Sequence, residues 1–317
     1  MECRRVEGRG IEEKDESMEQ CHYFHFFANG DDAKGFITCD RDFYAAFNRM
    51  GVCAFIAGVC IVSFSIEESH PHALIYGTLA ACYRFKALYE NSTRSYIAST
   101  RGNLDGVVFE CEIYPVDDQD YLRNVAAYTI VQPTKDGKDV MPYDYLWGTG
   151  SMYFRREGHS PIWLYDSDGR KMQPTTIGEL TVSERRKLLH TKLSVPDDWL
   201  VCNGFLLPDN YVDVKTFENI YRTANCFRVF MSSSKQRMDV ISKKMYEVRG
   251  VMMDDLEAYR ICSDEAHRLF GVRDVRKLDA NRRMELASVL RRAHKMSVRQ
   301  TATMVRLPES EIRKYLY

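Results

Sequence analysis

Between residues 21 and 131 the hydrophobic positions switch repeatedly between alternating and helical spacing. HYFHFFANG (22–30) gathers aromatic residues into a short run that closes on Asn-Gly, the mark of a strand and a turn. DRDFYAAFNRMGVCAFIA (40–57) opens at an aspartate and repeats apolar residues with helical spacing. VCIVSFSIE (59–67) and HALIYGT (72–78) are rich in β-formers, and the short link between them predicts an antiparallel pair. Residues 79–98 read as a helix and GVVFECEIYP (106–115) as a strand. Asp117 and Asp118 offer N-caps to a helix through QDYLRNVAAYTIV (119–131), stopped by Pro133. The order β-α-β-β-α-β-α predicts an α+β fold: a ferredoxin-like antiparallel sheet of the split-βαβ kind, with helices on one face.

The pattern weakens after residue 157. TVSERRKLLHTKL (181–193) has a Thr or Ser N-cap and helical spacing, whereas VPDDWLVCNGFLLPDNYVD (195–213) reads as loop and short extended pieces. It sharpens again near the C-terminus, where ANRRMELASVLRRAHKM (280–296) is amphipathic. Ser297 then caps SVRQTATMV, with Gln300 completing a capping-box pattern, and Pro308 opens a third helix in RLPESEIRKYLY. Three short helices with tight links match a helix-turn-helix in an all-α C-terminal region. Four segments follow: a disordered arm over 1–20, a sheet domain over 21–157, a linker and mostly helical accessory region over 158–265, and the helix-turn-helix module over 266–317.

Charge sharpens the last of these. The net charge of −1 is uneven: residues 271–317 hold twelve Lys and Arg against five Asp and Glu. A basic module on a mildly acidic body predicts nucleic-acid contact, with Arg291, Arg292, Arg299, Arg306, Arg313 and Lys314 as candidate contacts. A plain helical packing module with a solvated basic face would look the same. No apolar run approaches the roughly 18 residues of a membrane helix, and the charged start lacks a signal-peptide core, so a cytoplasmic protein is expected. The ten cysteines are scattered without a CxxC pair and read as reduced thiols.

Candidate chemistry lies in SIEESHPHALIYGT (65–78). In a strand, positions i and i+2 share a face, so His70 and His72 can aim two imidazoles at one point. That suits a divalent cation, and equally a pair of part-exposed histidines where a strand begins. Pro71 between them lacks an N–H and fits only a strand's first position or an edge. Glu67 and Glu68 read as solvated, or one of them as a further ligand. Downstream, Tyr128 and Gln132 stand four apart in YTIVQP and share a helix face, giving a phenol and a carbonyl oxygen. A tyrosine there also reads simply as core.

Taken in order, HPH in SHPHALIYGT and then YTIVQPTKDGKDVMPYDYLWGTGSMYF (128–154) resemble the HUH single-tyrosine transposases. The nearest branch is that of the insertion-sequence-200-like and REP-associated tyrosine transposases. Tyr145, Trp147 and Ser151 fall where that branch carries a Tyr-x-Trp-x-Ser-like segment. The resemblance covers about residues 20–155 and implies metal-dependent cleavage and rejoining of single-stranded or hairpin DNA. It implies that His70, His72 and Gln132 hold Mg²⁺ or Mn²⁺, that Tyr128 forms a 5′-phosphotyrosine link, and that the chain works as a homodimer. Two alternatives stand beside it. One is a host-retained DNA-binding or regulatory protein whose nuclease site is degenerate; the other is an HUH enzyme that nicks DNA to start replication or conjugation.

Overall fold

The computed structural model of the chain describes residues 20–28, 33, 35–102, 109–135, 140–155, 160–232, 254–309 and 311–312. The chain divides into two compact units, Met1–Met231 and Ser232–Tyr317. The expected arm lies outside the described residues except for Gln20, as do Arg313 and Lys314.

The first unit begins β1 (Cys21–Ala28), α1 (Asp40–Ala57), β2 (Cys60–Ile66), β3 (Pro71–Thr78), α2 (Leu79–Arg101), β4 (Cys111–Pro115), α3 (Gln119–Lys135). The sheet order is β2-β3-β1-β4, and every neighbouring pair is antiparallel. Both β-α-β crossovers, β1-α1-β2 and β3-α2-β4, therefore straddle a strand between their ends. Pro71 opens β3 opposite Ile66, where the missing N–H costs little.

Strand alternation decides which helix covers which face. Phe26 and Phe64 point one way: Phe26 packs on Phe85 and Tyr89 of α2, and Phe64 on Phe47 of α1. Ser63 points the other way, and its hydroxyl lies 2.6 Å from that of Thr129 on α3. The helices thus occupy both faces, α1 and α2 on one and α3 on the other, and not the single face expected. Pro133 also fails to stop α3, which runs on to Lys135. Asp118 caps its start, accepting from the Tyr121 N–H at 2.6 Å.

Residues 160–231 are part of this unit and not a linker. They form a small sheet, β5 (Thr175–Thr176), β6 (Leu200–Cys202) and β7 (Phe205–Leu206), with α4 (Val182–Leu189), α5 (Val214–Tyr221) and α6 (Ala224–Ser232). Thr181 and Glu184 close the capping box of α4. Asn48, buried on α1, ties the segment down. Its amide donates to the carbonyls of Leu188 and Gly204, and its oxygen accepts from the Leu206 N–H. Ile177, Leu189, Trp199 and Val201 bury against Val52 of α1. The outer edge of β2 is covered as well: Ile66 N–H donates to Trp147, Thr149 N–H to Phe64, and Asp213 N–H to Ile61.

The second unit is helical where described: α7 (Asp255–Phe270), α8 (Ala280–His294) and α9 (Val298–Val305). It therefore begins before residue 266. Cys262, Ala266, Leu286, Leu290, Met296, Val305 and Ile312 form its core. The thiols of Cys53, Cys82, Cys111 and Cys262 are free and buried. Among the described residues no helix is long and apolar enough to cross a membrane.

One buried carboxylate fastens α1 to α2. Asp42 accepts from the Thr38 N–H and hydroxyl, the Tyr96 hydroxyl and the Arg101 guanidinium. Burial alone would raise its pKa; the hydrogen bonds from Thr38 and Tyr96 and the Arg101 charge overcome that and hold it at about 2. A depressed carboxylate stabilises the fold above its unfolded value and stops doing so as pH falls through the folded one. About 2 kcal/mol should therefore be lost between roughly pH 4 and pH 2. Urea titrations of the wild type and Asp42→Asn across that window check this: the variant's loss should be smaller, and equal losses would exclude Asp42 as the source.

Candidate active site

The face of the sheet under α3 carries an unusual set of side chains. His72 pairs across the sheet with Ser65 on β2 and Phe27 on β1. His25 and Phe27 alternate onto the same face of β1. The His70 carbonyl accepts from the Glu67 N–H at 2.9 Å, which closes the β2–β3 hairpin. His70 thus stands two positions before His72, with their ring centroids 4.5 Å apart at 75°.

α3 lays Tyr128 across this group. Its ring meets His72 edge-on, centroids 5.0 Å apart at 89°, and His25 at 5.9 Å. The expected pair of histidines and the expected tyrosine are therefore neighbours. Gln132 lies one turn further along α3, on the face of Tyr128, because the helix continues past it. Its side chain is buried, and the Oε1 atom has no hydrogen-bond partner among the described residues. An orphaned buried carbonyl costs about 1–3 kcal/mol, so its presence asks for a ligand.

Burial departs from the expectation of part-exposed histidines and solvated glutamates, and agrees with Tyr128 as a core residue. His72 and Tyr128 are buried, and only His70 is partly exposed. Glu67 is fully buried, whereas Glu68 is exposed as expected.

His25 is the residue that sequence reasoning missed. It is fully buried, its Nε2 lies 3.3 Å from His72 Nδ1, and the two rings stack at 25°. Burial, reinforced by His70 nearby, drives its pKa down to about 3, so the ring stays neutral at ordinary pH. Its signal in the sequence was one imidazole at an inward position of an aromatic strand.

Tyr145, Trp147 and Ser151 prove largely architectural. Tyr145 donates its hydroxyl to the Ile66 carbonyl at 2.7 Å, at the root of the histidine hairpin. Trp147 stacks on Phe43 at 4.8 Å. A Cβ on Gly148 would stand 3.2 Å from the Phe64 carbonyl oxygen, so a side chain here would press on β2. Ser151 ends the segment with its hydroxyl oxygen buried.

Among the described residues no three His, Cys, Asp or Glu side chains gather as a metal cluster. A cation here would depend on His70, His72 and an oxygen of another type, which Gln132 has. Two imidazoles and an uncharged carbonyl form a weak neutral set, suited to an ion that also binds an anionic substrate.

In the second unit, Arg292, Arg299 and Arg306 are exposed. Arg291 is half-buried, and its guanidinium donates to the Met296 carbonyl at 2.5 Å, which gives it a structural task. Ser297 accepts from the Gln300 N–H as a cap, while the Gln300 amide donates to Asp255 on α7. Arg306, in the left-handed conformation at φ 57°, turns the chain toward Pro308, whose carbonyl accepts from Glu311 and Ile312.

No family model matches the chain, and no curated protein matches it. Among solved structures, one described as a REP-associated tyrosine transposase bound to a REP hairpin is similar over 53% of this chain and 99% of its own. The sequence identity is 14% and the TM-score 0.31, too low to carry functional weight.

Proposed function

We propose that the chain cleaves and rejoins single-stranded or hairpin DNA in transposition, through a 5′-phosphotyrosine link on Tyr128. One observation carries the reading: Tyr128 meets His72 edge to face, one helical turn from a buried Gln132 carbonyl that has no hydrogen-bond partner among the described residues. On this reading His70, His72 and Gln132 hold Mg²⁺ or Mn²⁺, which supplies Lewis-acid polarisation of the scissile phosphate. The Tyr128 oxygen attacks phosphorus, the bond to the 3′ oxygen breaks, and the phenol's proton is balanced by the 3′-hydroxyl released. The bond energy stays in the protein–DNA link for rejoining. Tyr128 is only 3% exposed, so DNA reaches it only after a local rearrangement that leaves Tyr128 and Gln132 facing the histidines.

The sheet is read as ferredoxin-like, and the turn from α9 into the helix at Pro308 as a helix-turn-helix that docks on DNA, in a homodimer. Arg299→Ala and Arg306→Ala should each lower the slope of log affinity against log salt by about one. An unchanged slope in both would remove the C-terminal unit from the interface.

The test is incubation of the full chain with Mn²⁺ and single-stranded DNA from the sequence flanking its gene, read as a denaturant-resistant protein–DNA adduct. The adduct is expected with Mn²⁺ and not with EDTA. The burial of Tyr128 favours a second reading, a DNA-binding regulator with an inert centre. Tight, salt-dependent binding without any adduct would establish that one instead.

A further inference from the structure

We infer that His25 is a positioning residue that sets the tautomer of His72 and so presents the His72 Nε2 lone pair toward the Tyr128 face. The inference rests on the reading of His70, His72 and Gln132 as a cation site.

An imidazole binds a cation only through a nitrogen that bears no proton, and in the neutral ring the other nitrogen holds it. For His72 the neighbouring ring decides which. His72 Nδ1 lies 3.3 Å from His25 Nε2, within hydrogen-bond reach. If His72 Nδ1–H donates, its Nε2 is bare. If His25 Nε2–H donates, the His72 proton sits on Nε2 and cation binding is blocked. The shared hydrogen bond thus couples the two rings, and only the first arrangement leaves His72 able to take a cation.

Burial and packing hold the two rings together. Both rings are fully buried, so water does not compete for the bond. The His25 ring is inclined 25° to that of His72, with centroids 5.5 Å apart, and stands 4.9 Å from Phe27, so its orientation is fixed by packing. In the first arrangement His25 carries its own proton on Nδ1, an atom with no hydrogen-bond partner among the described residues. Phenylalanine would serve packing alone, as Phe27 does two positions on. An imidazole here, with one nitrogen spent on His72 and the other orphaned, is accounted for by a task directed at His72. Partners of this kind on metal-binding histidines are worth about 10–100-fold in metal affinity.

Two measurements on the full chain test this. In the metal-free wild type, long-range ¹H–¹⁵N correlation of the His72 ring should report Nδ1 protonated and Nε2 bare. A proton on His72 Nε2 would overturn the proposal without any variant. Mn²⁺ binding followed by electron paramagnetic resonance should weaken about 10–100-fold in His25→Leu. It should recover to within a few-fold in His25→Gln, whose carbonyl can accept from His72 Nδ1. Unchanged affinity in a folded His25→Leu, or equal loss in both variants, would also overturn it. Failure of the wild type to bind Mn²⁺ would fell the cation-site reading instead, and the ring spectrum alone would then decide the role of His25.

Discussion

Replacing Tyr128 with phenylalanine should abolish the covalent DNA adduct and slow strand cleavage on the order of 10³-fold or more. Phenylalanine keeps the ring, and with it the edge contacts to His72 and His25. Only the hydroxyl is lost, so the DNA affinity of the C-terminal unit should hold. His72→Ala should give a comparable loss by removing the orienting ligand. The double variant should be little worse than either, because groups that act in one step are far from additive. Adduct yield in Tyr128→Phe within threefold of wild type would remove Tyr128 as the nucleophile, whatever the metal dependence. A parallel drop in melting temperature would point to Tyr128 as a core residue.

The first unit was legible in the sequence where local rules govern. The strands and helices from β1 to α3 fall close to their expected places because alternation, N-caps and short links are local signals. Pro71 stands at a strand's first position, as a residue without an N–H must. What escaped prediction depends on long-range packing. Nothing local says that α3 takes the face opposite α1 and α2; that follows from Ser63 pairing with Thr129, 66 positions apart. Pro133 reads as a stop, yet the helix contacts on β2 and β3 outlast the single hydrogen bond it removes. Glu67 beside Glu68 reads as a solvated pair, but the β2–β3 link buries one of them. The strands β5, β6 and β7 are two or three residues long, too short for any period to show. They exist because Asn48 and the Trp199 cluster hold them on α1. His25 was hidden for a further reason. A lone histidine in an aromatic strand has no motif, and its significance appears only when the register brings it beside His72.

Gln132→Leu should separate function from stability in opposite directions. Gln132 is buried, and its Oε1 atom lacks a hydrogen-bond partner among the described residues. Leucine has similar volume and no carbonyl to desolvate, so folding should be unchanged or gain about 1–2 kcal/mol. For a unit of this size that corresponds to roughly 2–8 °C in melting temperature. Mn²⁺ affinity should meanwhile fall about tenfold or more, roughly 1.4 kcal/mol or above, with adduct formation falling alongside it. Gln132→Ala is the weaker test, since it removes the carbonyl but also opens a cavity, and would destabilise whatever the role of the residue. The opposing shifts in the leucine variant distinguish a ligand from a packing residue. A carbonyl held for a cation is a cost to the free fold, whereas a glutamine that merely packs would stabilise it. Loss of stability by more than about 1 kcal/mol with unchanged Mn²⁺ binding would therefore assign Gln132 to the core and leave His70 and His72 without their third ligand.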